Sequence, residues 1–282
     1  MERIWWFFMA LIINAQLFGQ NLVMNPSFEK VHSLTKDEWN KGTGYFYADN
    51  WYQTTSCSFD ILRSDKVCTD SLLKDFDPSM DFCVPTKSGD YCAGFYPVAC
   101  TGYMEHLSGT LKASMKSGNR YKVSFWIQLY DDESEVPIVT NGIGIKFSKD
   151  TLSKEIPLNP LGEVACFYNE MFSHKPIFAD VEILDCIIDK AWRKYEFIYV
   201  AKGGERFITI GKFASRKNKK WVKHFEKIKK KQSPKYLGKL FSRNKSLVCK
   251  NLLGKKNVDF EKLNFPCYYL LDDVSVELID FP

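Results

Sequence analysis

The clearest chemistry in this sequence is a set of rings and amides on one side of a single strand. Tyr121 to Tyr130 reads YKVSFWIQLY. Side chains alternate along a strand, so Tyr121, Val123, Phe125, Ile127 and Leu129 share an apolar face, while Lys122, Ser124, Trp126, Gln128 and Tyr130 share the other. Aromatic rings stack on the faces of pyranoses, and amides and carboxylates bond the hydroxyls. Trp126, Gln128 and Tyr130 are therefore candidate ligand-binding residues. Trp51 and Tyr52, after the aromatic loop Tyr45-Phe46-Tyr47, are candidates to stand nearby. The competing expectation is that these rings pack within the fold or beneath an insertion.

Catalytic constellations are missing from the sequence. His32, His106, His174 and His224 are scattered, with neither HExxH nor a zinc-ligand spacing. There is no GxSxG elbow. Acidic pairs such as Asp131-Asp132 and Asp272-Asp273 occur. A glycosidase needs two carboxylates on opposite sides of a cleft, however, and sequence spacing does not show that. A binding protein is expected rather than an enzyme.

A second kind of chemistry is electrostatic. Between Lys212 and Lys256 stand 17 Lys and Arg against one acid, Glu226, although the whole chain carries only +5. An acidic body thus carries a basic insert. Lys219 to Lys231 (KKWVKHFEKIKKK) spaces Trp221, Val222, Phe225 and Ile228 near helical periodicity, and Tyr236 to Leu253 shows similar apolar pairs after Ser233-Pro234. Two short amphipathic helices are predicted, in a Lys-rich insertion over 214–265. Lys219, Lys220, Trp221, Lys223, Phe225, Lys227, Lys229, Lys230 and Lys231 are the candidate contacts to an anionic surface, a polyanion or an acidic partner protein. A solvated lysine face covering a sheet edge is the alternative. Nucleic acid is not an expected partner, because no recognised binding module accompanies the charge.

The elements that must position these residues read as strands. Besides Tyr121 to Tyr130, the candidates are Gly142 to Phe147, Arg193 to Val200, Arg206 to Phe213 and Cys267 to Leu278, separated by turn signals such as Lys116-Ser117-Gly118-Asn119. The pattern predicts an all-β, two-sheet β-sandwich (jelly roll), with the basic insertion before the last strand. The 282 residues, 45% hydrophobic, suffice for one domain over 20–282.

Residues 1–19 read as a signal peptide: Arg3, then an apolar run from Ile4 to Ile13, then small and polar residues up to Gly19. No later stretch is apolar enough to span a membrane. A secreted or cell-envelope location is expected, in the periplasm or at the outer-membrane surface. The nine cysteines all follow this segment, where an oxidising compartment would let them pair, with at least one left over. Cys249 with Cys267 is the expected disulfide, tying the insertion to the last strand.

The two ends of the expected mature chain show a further pattern. Asn21 to Glu29 reads NLVMNPSFE and Leu270 to Glu277 reads LLDDVSVE, with Ser88 to Gly94 (SGDYCAG), Leu107 to Trp126, Ile143 to Ser148 and Trp192 to Phe213 in order between them. The ordered set resembles the jelly-roll carbohydrate-binding modules of the galactose-binding-like superfold, in particular a bacterial subgroup found on secreted and outer-membrane (OmpA-like) proteins. The basic insertion has no counterpart in that pattern.

The resemblance implies a polysaccharide or glycan ligand. It also implies a structural calcium site built from Glu29, from Asp272 or Asp273, and from the loop Thr86 to Asp90, which contains Lys87. Calcium takes six to eight oxygens, so carboxylates and loop carbonyls suit it. Like-charged carboxylates brought together would otherwise repel. Regular alternation puts Asp272 on the side of Val274 and Val276 and favours it over Asp273. The expected function is a secreted, non-catalytic module recognising glycans at a bacterial surface or envelope. The alternative is a structural or adhesion subunit that docks an acidic partner or anionic membrane surface through the insertion.

Mass spectrometry of the protein from its native host should find Gln20 as the first residue. An intact Met1 terminus would contradict the export reading.

Overall fold

The computed structural model describes residues 19–33, 46–54, 59–66, 83–98, 104–130, 142–152, 177–185, 187–213 and 267–280. The expected signal peptide and Lys-rich insertion lie outside these residues, as do Cys249 and the side chain of Cys267. Every named element is a strand: β1 (Val31–Ser33), β2 (Phe46–Ala48), β3 (Trp51–Gln53), β4 (Asp60–Ser64), β5 (Cys83–Val84), β6 (Tyr91–Val98), β7 (His106–Thr110), β8 (Arg120–Tyr130), β9 (Ile143–Ser148), β10 (Val181–Glu182), β11 (Arg193–Val200), β12 (Phe207–Lys212) and β13 (Cys267–Asp280). A five-stranded sheet runs β10-β9-β12-β7-β3, a six-stranded sheet runs β11-β8-β13-β6-β4-β5, and β1 pairs with β2. The β4–β5 pair is parallel. The molecule is the all-β, two-sheet sandwich that the alternating strands predict. No helix among the described residues is long and apolar enough to cross a membrane.

The two sheets meet over one apolar core. β8 contributes Tyr121, Val123, Phe125, Ile127 and Leu129, all buried, as its alternation requires. Ile143, Ile145, Phe147, Leu107, Ile208 and Ile210 oppose them from the five-stranded sheet. Phe125 is wholly buried and stacks with Tyr195 and Phe197 of β11 at 6.1 and 6.3 Å between centroids. The N-terminal segment joins the sheets: Leu22 N–H donates to Val276 O at 2.8 Å and Met24 N–H to Thr110 O at 3.0 Å. Asn21 locks the join, its Nδ2 donating to Val274 O while its Oδ1 accepts from Val276 N–H.

β13 does not alternate regularly. Asp272 pairs with Trp126 and Ser275 with Ser124, so three steps on β13 match two on β8. This is a one-residue bulge. Asp273 takes φ 49° there, and Val274 N–H donates to Pro26 O at 2.9 Å. Tyr269 and Leu271 enter the core before the bulge, and Val274, Val276 and Leu278 after it. Asp272 therefore lies on the outer face, opposite Val274 and Val276. The extra residue reverses the parity on which the sequence expectation rested.

Phe125→Ala should lower unfolding free energy by about 3–5 kcal/mol, the usual cost of emptying a buried Phe site. Urea denaturation reads this directly. A loss under 1 kcal/mol would mean the core does not close around β8.

Candidate ligand-binding face

The outer face of the six-stranded sheet gathers the chemistry that β8 announced. Cross-strand partners share a face, so the register places side chains in rows. One row holds Tyr130 and Tyr268, the next Gln128, Leu270, Gly94 and Asp60, and the next Lys194, Trp126 and Asp272. Below these come Ser124 with Glu196 and Ser275, then Lys122 with Ile198 and Glu277. The face is thus aromatic at one end and charged at the other.

Local packing sets the aromatic end. Tyr268 stands 4.5 Å from Tyr96 and 6.0 Å from Tyr130, between ring centroids, and its hydroxyl donates to Asp60 Oδ2 at 2.6 Å. A Cβ on Gly94 would collide with the Tyr268 phenol, so glycine is what lets that ring lie across β6. Burial pushes the Asp60 carboxyl up, opposed by the Tyr268 hydroxyl bond, and burial beside Asp60 pushes the Tyr268 phenol well up. Trp192 joins the cluster around Val84, Cys92 and Leu270, its Nε1–H donating to Pro85 O at 3.1 Å. Gln128 Nε2 donates to Lys190 O at 2.5 Å, which leaves its buried Oε1 without a hydrogen-bond partner. Lys87 holds its ammonium 4.4 Å from the Trp126 ring centroid.

Trp126, Gln128 and Tyr130 are brought together as expected; Trp51 and Tyr52 are not. Trp51 points into the core at 4% exposure, 4.7 Å from Phe28, with its Nε1–H donating to Asn25 O. Tyr52 lies on the five-stranded sheet, edge-on to Phe207 at 6.0 Å. Alternation at the start of β3 sends one ring inward and the next to the far side of the sandwich. Tyr96, Tyr268, Trp192 and Asp60 are the residues that sequence reasoning missed. The signal for Tyr268 was present in the alternation of Tyr268, Leu270 and Asp272, a pattern that fails only at the bulge.

Glu29, Asp272 and Asp273 do converge on the loop of residues 86–91. Glu29 accepts backbone N–H bonds from Asp90 and Tyr91 at 3.0–3.2 Å. Asp272 Oδ2 accepts from Lys87 and Ser88 N–H at 3.1 Å, and its Oδ1 from Asp273 N–H at 2.7 Å. Asp273 Oδ1 accepts the hydroxyls of Ser27 and Ser88. Both Glu29 oxygens and both Asp272 oxygens are thus met by N–H donors. Among the described residues no group of three or more His, Cys, Asp or Glu is placed to hold a metal ion. The carboxylates expected to meet a calcium ion, which takes oxygen ligands, are thus gathered at this loop and held there by N–H donors.

Burial pushes the Asp272 carboxyl up to about 8, against the pull of its N–H bonds and with a further push from Asp273. Cys92 is a buried free thiol, pushed up by burial and then by Asp272 and Glu29. His106 is also buried and is pulled down to about 4, so it stays neutral against Phe213, its Nε2 bonded to Lys212 O.

No protein-family model and no curated protein matches the sequence. Among solved structures, the chain is similar to a CBM22 xylan-binding domain from Paenibacillus barcinonensis at 9% identity and TM-score 0.37, over 91% of this chain and 94% of that one. It is similar to the K1 cleaved adhesin domain of Lys-gingipain from Porphyromonas gingivalis at 9% identity and TM-score 0.36, over 93% and 100%. A GH51 α-L-arabinofuranosidase matches at 9% identity and TM-score 0.39 over 94% of this chain, which spans 27% of that enzyme. Identities and scores this low establish no family.

Because burial raises the folded Asp272 pKa to about 8, above the ~3.9 of an unfolded Asp, its contribution to stability is fully present below the unfolded value and is lost as pH rises through about 8. Asp272→Asn should flatten that slope in urea unfolding measured at several pH values. An unchanged slope would place the titration elsewhere.

Proposed function

We propose that this chain is an exported, non-catalytic glycan-binding protein whose binding surface is the outer face of the six-stranded sheet, working at a bacterial surface or envelope. The observation that carries the reading is the half-buried ring set of Trp126, Tyr130, Tyr96 and Tyr268 on the side of the sheet away from the main core. An aromatic floor of this kind suits the flat apolar faces of sugar rings. Trp126 and Tyr130 are four residues apart on one strand, roughly 13 Å at the usual rise. That span suits an oligosaccharide rather than a single sugar.

Polar groups for the hydroxyls lie between the rings. Gln128 and Asp60 lie in one row between them.

A glycan array probed with the full chain tests the proposal. Trp126→Ala should weaken binding to the selected glycan by at least about tenfold, since removing a central ring costs ~2 kcal/mol or more. Tyr52→Ala, on the opposite sheet, should leave binding unchanged. Binding that ignores Trp126 would overturn the assignment.

A further inference from the structure

The charged groups of this face are unevenly committed. Lys122 pairs with Glu277 at 3.1 Å and Lys194 with Glu196 at 3.0 Å. Asp60 is held by Tyr268, and Asp272, fully buried, by three backbone N–H groups. Lys87 differs from all of these. It is half-buried, no carboxylate among the described residues pairs with it, and its ammonium rests on the Trp126 ring. Its backbone is fixed, because Lys87 N–H is bonded to Asp272. The ammonium is therefore tethered at the ring that the proposed function assigns to ligand stacking.

A cation on an indole face is a favourable contact, strongest when partly desolvated. A neutral sugar stacking on that side of Trp126 would displace the ammonium and offer it only uncharged hydroxyl acceptors. A sugar bearing a carboxylate or sulfate would instead accept a charge-assisted hydrogen bond from it. Among the described residues no uncommitted carboxylate stands beside the ring to repel such a ligand, since Asp272 is enclosed and Glu196 is paired with Lys194.

Resting on the glycan-binding reading above, we infer that the Trp126 subsite takes an anionic sugar residue, with Lys87 as the group that selects it. Lys87 is the specificity-determining residue and Trp126 the platform.

The experiment compares wild type, Lys87→Met, Lys87→Arg and Trp126→Ala, all as the full chain, on an array holding neutral, uronate-bearing and sulfated glycans. The strongest ligands are then titrated by calorimetry beside their carboxyl-reduced or desulfated counterparts. Wild type should prefer the anionic forms. Lys87→Met should lose about ten- to a hundredfold on them while keeping its melting temperature, and Lys87→Arg should retain most of the affinity.

The uronate and sulfate arms identify which anion is taken. Neutral ligands that depend on Trp126 but not on Lys87 would overturn this inference and leave the glycan-binding reading standing. Anionic ligands held equally well by Trp126→Ala and Lys87→Met belong to another basic region of the chain, and would overturn both.

Discussion

One extra residue in the last strand organises this molecule. The bulge at Asp272–Asp273 lets β13 contribute Tyr269 and Leu271 to the core, then change phase and contribute Val274, Val276 and Leu278. Without the phase change, either those valines or Asp272 would face the wrong way. The bulge is pinned from three directions: Ser27 and Ser88 hydroxyls on Asp273, loop N–H groups on Asp272, and Val274 N–H on Pro26 O. The N-terminal segment, the last strand and the 86–91 loop are thereby closed into one unit. The same loop carries Lys87 to the Trp126 ring, so closing the sandwich and shaping its outer face are one piece of packing.

Much of the fold was legible in the sequence because period-two alternation is a strong signal wherever one face is buried. β8, β9, β11, β12 and β13 stand within a residue or two of the expected segments. The short strands β1 to β5 were not anticipated. β1, β2, β3 and β5, of two or three residues, cannot display a period, and such strands exist because neighbours in the sheet pair with them.

The site was half legible. Trp126, Gln128 and Tyr130 follow from the alternation of one long strand and needed no tertiary knowledge. Trp51 did not: its inward direction is set by Gly109 beneath its ring, a close approach that no local pattern announces. The acidic convergence was foreseen, but not how it is satisfied. Which end of a peptide a loop presents depends on backbone turns such as the one at Gly89, φ 59°, whose missing Cβ makes room for the Glu29 carboxylate. Backbone N–H groups and hydroxyls meet the carboxylates of the cluster.

The central claim is that ligand meets the outer face of the six-stranded sheet at Trp126. Indole N–H resonances of the tryptophans, followed by NMR during titration with the glycan the protein selects, test it most directly. The account predicts a progressive, saturable shift of the Trp126 signal while that of core Trp51 stays fixed. A stationary Trp126 signal at saturating ligand would contradict it.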